Sequence, residues 1–71
     1  MTLDLHSTKH EDVTKLLDAF LYKHIKKKTS RVYVITGISE IMKQIVSKVA
    51  SEHGLTCVEN MFNSGEMIID F

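Results

Sequence analysis

Arg31-Val32-Tyr33-Val34-Ile35-Thr36, closed by Gly37, is the stretch on which the fold turns. Its branched side chains suit a pleated backbone, and it is nearly continuously apolar, as a central parallel strand is. Upstream, Val13, Leu16, Leu17, Phe20, Leu21 and Ile25 recur at helical spacing, which predicts a helix from about residue 9 to about residue 27. Thr8 and Glu11 fit a capping box at its start. Downstream, Ser39 is placed to cap a second helix with Ile41, Met42, Ile45, Val46 and Val49 on its inner face. Gly54 before Leu55 is a helix stop.

The ends of the chain complete the pattern. Residues 2–6 alternate, with Leu3 and Leu5 on one face and Thr2, Asp4 and His6 on the other, the signature of a short half-buried strand. Two further strands are expected at about 55–62 and 66–71, with Asn63-Ser64-Gly65 as the hairpin loop and Gly65 at positive φ. The expected order is β-α-β-α-β-β, a two-layer α/β (α+β) sandwich. Its four-stranded mixed sheet carries both helices on one face if the sheet grows in one direction. The other sheet face is left only partly covered.

With 71 residues the chain reads as one domain over 1–71, and a domain this small has a thin stability margin. It is 44% hydrophobic and 25% charged, without Pro, the composition of a folded protein. No apolar stretch approaches the roughly 20 residues of a membrane span. The N-terminus carries Asp4 where a secretory signal would be basic, so a cytoplasmic location is expected. The single Cys57 has no disulfide partner, and no Cys/His spacing resembles a zinc site. Nine basic residues balance nine acidic ones. Dedicated duplex-binding proteins are clearly basic, so any contact with nucleic acid should run through a few placed groups.

Those groups are readable. Asp4 and His6 leave the same face of the first strand, about 6–7 Å apart along the backbone. If the first two strands are parallel, His6 and the Thr36-Gly37-Ile38-Ser39 loop share the carboxyl edge of the sheet, where open α/β sheets bind ligands. Free amides from Gly37 to Glu40 and the helix dipole suit a phosphate there, with Lys43 one turn along. Taken singly, Asp-x-His in a strand is usually a solvent-facing pair and Thr-Gly before a helix usually a turn; convergence on one edge gives them weight. Lys23, Lys26, Lys27, Lys28 and Arg31 form the densest charge, but at the end of the first helix and so at the opposite edge. There they complement the helix dipole. His10 is placed to border the crevice, while His24 and His53 fall near helix ends and read as structural. Met42, Met61 and Met67 read as core filler, and Tyr33 as a partly buried strand residue.

Leu3-Asp4-Leu5-His6, followed by Glu11-Asp12-Val13, resembles the LDLH-type opening of small MutS-related (Smr) domains. Val32 to Gly37 (VYVITG) resembles their second strand and the start of their TGxG loop. Ser51-Glu52-His53-Gly54-Leu55 matches the end of their second helix, and Gly65 to Phe71 their last strand. The resemblance spans essentially the whole chain. It implies a fold like the C-terminal domain of translation initiation factor three, and binding of DNA or RNA, with cleavage in several members. By the same resemblance Asp4 and His6 correspond to the first motif, Thr36 and Gly37 to the loop, and Lys43 to a basic residue early in the second helix. The family's second loop glycine is Ser39 here, and the loop is one residue shorter. Ser tolerates positive φ poorly, though it can cap the helix and offer a hydroxyl to phosphate.

The expectation is therefore a nucleic-acid-binding Smr-like domain with endonuclease activity on RNA or structured DNA. Asp4 and His6 are its catalytic pair, and Thr36, Gly37, Ser39 and Lys43 its phosphate-binding set. A divalent metal such as Mg is compatible with Asp4, although no dedicated site is visible. The alternative is a module that binds nucleic acid or protein without cutting, alone or within a larger protein or nucleoprotein complex.

Overall fold

The computed structural model describes all of residues 1–71. In chain order the elements are β1 (Thr2–Asp4), α1 (His10–Lys26), β2 (Arg31–Ile35), α2 (Glu40–Glu52), β3 (Thr56–Asn60) and β4 (Asn63–Asp70). They build a four-stranded sheet in the order β1-β2-β4-β3. β1 pairs parallel to β2, while β4 runs antiparallel between β2 and β3. The expected β-α-β-α-β-β order and mixed α+β sheet are both present.

Strand alternation sorts the two faces. Val32 and Val34 are fully buried on β2, and their register partners Ile69 and Met67 on β4 and Leu3 on β1 lie on the same side. Helices α1 and α2 pack against each other and share one buried apolar cluster with that side of the sheet. Val13, Leu17 and Leu21 face the sheet from α1; Met42, Val46, Val49 and Ala50 do so from α2. Fully burying one such aliphatic side chain contributes about 1.5–3 kcal/mol. The other face shows three cross-strand rows: Arg31, Asp70 and Thr56; Thr2, Tyr33, Ile68 and Val58; and Asp4, Ile35 and Glu66.

Several details differ from the sequence expectation. The stripe of α1 is rotated toward His24, which is buried with its Nδ1 2.9 Å from Thr29 Oγ1 and its ring edge-on to Phe20, while Leu16 and Ile25 are exposed. On α2 Ile41 is exposed and the Lys43 stem is buried instead. The capping box does not form: Lys9 is the N-cap of α1 and no side chain bonds there. The hairpin turns at Met61 and Phe62, not at Asn63-Ser64-Gly65, and Gly65 has no positive φ. The cause is local. Asn60 Oδ1 accepts the Phe62 amide, its Nδ2 donates to Glu66, and a register shift at Glu59/Asn60 absorbs the mismatch. Residues 63–65 are thereby released to lengthen β4.

Both helices end in Schellman motifs. In α1 the Thr29 and Lys28 amides donate to the His24 and Ile25 carbonyls; in α2 those of Leu55 and Gly54 donate to Ala50 and Ser51. Gly54 takes the left-handed position at φ +73°, as expected, whereas in α1 the same position is held by Lys28 at φ +57°.

Candidate functional site

β1 and β2 are parallel, so both deliver their carboxyl ends to one edge of the sheet. At that edge β1 runs on through Leu5, whose amide donates to the Ile35 carbonyl 2.8 Å away. Leu5 is fully buried, and its anchoring sets His6 immediately beyond. A β-carbon added to Gly37 would lie 3.5 Å from the His6 β-carbon. The histidine and the loop after β2 are thus neighbours at one edge, as the parallel arrangement requires.

Asp4 holds His6 twice. Its Oδ1 accepts the His6 amide at 3.0 Å and lies 2.5 Å from His6 Nδ1. An ionised carboxylate only accepts, so Nδ1 must be the donor, which leaves Nε2 as the nitrogen free to accept or deliver a proton. The hydrogen bonds from the His6 side chain and amide hold the Asp4 carboxyl below its usual 3.8. Asp4 is therefore an anion at neutral pH, and both side chains are solvent-accessible.

Thr36 is buried and inward-looking: its hydroxyl donates to the Gly37 carbonyl at 2.7 Å, and its amide donates to the Gly65 carbonyl at 2.9 Å. The Gly37 amide donates to the same carbonyl at 3.0 Å. Gly37 has φ +67°, which turns the chain from β2 into α2 at no steric cost. Its amide is not free, contrary to the expectation of an anion cradle running from Gly37 to Glu40. The amides that lack an intramolecular acceptor are those of Ile38, Ser39, Glu40 and Ile41. Ser39 caps α2 as expected: its Oγ accepts the Met42 amide at 3.2 Å, and its O–H remains available as a donor.

Lys43 stands apart from these groups. It is 9% exposed, and its ammonium bonds to Glu59 Oε1 on β3 and lies 3.9 Å from Glu40 Oε1. The structure therefore brings Asp4, His6, Gly37 and Ser39 to one edge, uses Thr36 to pin the loop, and holds Lys43 in a carboxylate pair. His10, Thr8, Lys9 and Glu11 line a shallow depression at the start of α1 on the same edge. The lysines at the end of α1 lie at the opposite edge, where Lys26 sits 4.9 Å from the Tyr22 ring centre and Arg31 is engaged by Asp70. No three His, Cys, Asp or Glu side chains gather to hold a metal ion. Burial raises the Cys57 thiol above its ordinary value, so it is protonated at neutral pH.

Sequence reading missed Gly65 and Phe62. Gly65 supplies the carbonyl that fixes the Thr36-Gly37 corner, and a β-carbon on it would stand 3.5 Å from Gly37 Cα. Phe62 is 92% exposed at a hairpin tip on this edge. Which partner a backbone carbonyl takes is not readable from residue type.

Fold and edge together define a small two-layer α+β domain with an exposed Asp-His pair beside a glycine-led helix N-terminus. The Smr domain family model matches residues 3–65, which include every site residue named above, and the chain belongs to that family. Comparison with curated proteins and with solved structures gives no match. The family is associated with nucleic-acid binding and nuclease activity. No helix is long and apolar enough to cross a membrane.

Proposed function

We propose that this domain binds nucleic acid, RNA or structured DNA, at the carboxyl edge of its sheet, and that Asp4 and His6 act on a phosphodiester held there. The observation that carries this reading is the adjacency of His6 to the Gly37 corner, where an added β-carbon would lie 3.5 Å from the His6 β-carbon, while Asp4 fixes its Nδ1. A phosphate accepting from the free amides of Ile38 to Ile41, at the positive end of the α2 dipole, would lie within reach of the imidazole. His6 Nε2 then takes a proton from the attacking hydroxyl or water, or as imidazolium returns one to the departing oxygen. Asp4 orients the ring and offsets its positive charge. Ser39 supplies a further donor from its hydroxyl, and Lys43 joins only by exchanging Glu59 for phosphate.

The test is cleavage of mixed RNA and structured-DNA substrates by wild type, Asp4→Ala and His6→Ala. Each substitution should lower the rate by about 10²–10⁴-fold, the range of a positioned acid-base group. Equal rates in all three, or no turnover in any, would remove the catalytic role. A second reading rests on Ser39, which caps α2 where the family carries a second loop glycine. On that reading the edge binds without cutting, and His6→Ala weakens binding although wild type shows no turnover.

A further inference from the structure

Met61 and Phe62 are 86% and 92% exposed at the β3–β4 tip, the most exposed large apolar side chains in the chain. The tip is braced: Asn60 accepts the Phe62 amide at 3.0 Å, and Asn63 accepts the Gly65 amide at 3.0 Å. It is also tied to the proposed phosphate site, because the Gly65 carbonyl accepts both the Thr36 and Gly37 amides. Phe62 lies three residues from Gly65, so its backbone is at most about 11 Å from the glycine that adjoins that corner. From the tip a groove of about 480 Å³ runs onto the open sheet face, past Met61, Val58, Ile68 and Tyr33 to Arg31. Asp4 belongs to the same face, in the row next to that of Tyr33. Three strand spacings, about 14 Å, separate β1 from β3, a distance that two or three nucleotides span.

Resting on the function proposed above, we propose that the substrate strand is unpaired at this site, and that Phe62 stacks on a base two or three nucleotides from the phosphate at His6. The groove leading to Tyr33 receives the neighbouring base. Charge favours this occupant over a duplex. The chain has zero formal charge, the open face carries Asp4, Glu66 and Asp70, and its one guanidinium, Arg31, is bonded to Asp70. Duplex affinity draws chiefly on phosphate neutralisation, which such a surface supplies poorly. Stacking on an exposed aromatic needs no cation, tolerates any base, and is open only to bases outside a duplex.

The experiment measures fluorescence anisotropy of a labelled mixed-sequence single strand of about twelve nucleotides, inside the usual site size of single-strand binders. The same strand made abasic and the same sequence as blunt duplex serve as controls. Wild type should prefer the single strand. Phe62→Ala should weaken single-strand binding by about 5- to 100-fold, leave the abasic strand and duplex unchanged, and be rescued by Phe62→Trp. An exposed side chain can be changed without loss of fold, which circular dichroism confirms for each variant. Phe62→Ala binding the single strand as wild type does would overturn the proposal while leaving His6-dependent binding intact. Wild type binding no nucleic acid would overturn both this inference and the function on which it rests.

Discussion

Lys43 decides how much positive charge the edge can offer a phosphate. Its stem is buried against the core and its ammonium is held by Glu59, with Glu40 nearby. A phosphate therefore competes with carboxylates that are already in place. Glu59→Gln keeps the shape and removes the stronger competitor, so it should tighten nucleic-acid binding several-fold at low salt. Lys43→Met should weaken binding if the exchange occurs. Anisotropy titrations of both variants check this, and unchanged affinity in both would leave Lys43 a purely structural cation. Lys28 poses a simpler question at the same scale. It holds φ +57° at the end of α1, a conformation costing a non-glycine residue roughly 1–2 kcal/mol. Lys28→Gly should recover about 1 kcal/mol, less the extra unfolded-state entropy of glycine, visible as a raised urea midpoint.

α1 carries a pH dependence of its own. His24 is almost wholly buried on the stripe that packs on the sheet. Burial first, then the charges of Lys23 and Lys27, lower its pKa below the ordinary 6.5. Below about pH 6.5 the unfolded chain therefore binds a proton that the folded one refuses. The His24 contribution is complete above that value and declines as pH falls toward the lowered folded pKa. Asp4 acts in a separate window, contributing above 3.8 and losing its contribution as pH falls through its own depressed value. Urea midpoints should hold steady from pH 8 to 7 and decline from 6.5 to 5. In His24→Leu this decline should flatten, whatever that variant's absolute stability; an unchanged slope would assign the effect elsewhere.

Across the whole molecule, periodicity made the element order legible. The RVYVIT run, the alternation of Leu3 and Leu5 and the i, i+3, i+4 stripes each state a period, and the crossover rule gave the parallel pairing of the first two strands. The same pairing put His6 and the Thr36–Ser39 loop on one edge, and the structure sets His6 next to Gly37 there. What sequence could not show depends on which group wins a contact across elements. Asn60 captured the turn from Asn63-Ser64-Gly65, the Gly65 carbonyl took the Gly37 amide, and Glu59, sixteen positions away, took Lys43. Helical spacing likewise admits both Ile25 and His24 to the inner face, and only packing chose His24.

Two edges of the sheet compete as the nucleic-acid surface, one built around His6 and Gly37, the other carrying Lys23, Lys26, Lys27 and Lys28 at the end of α1. Backbone amide shifts of the ¹⁵N-labelled domain, followed while a mixed-sequence single strand is added, separate them in one titration. Perturbations centred on His6, Ile38 to Ile41 and Phe62 are predicted. Perturbations centred on Lys23 to Lys28, with His6 and the Gly37 corner unmoved, would contradict the assignment of function to the carboxyl edge.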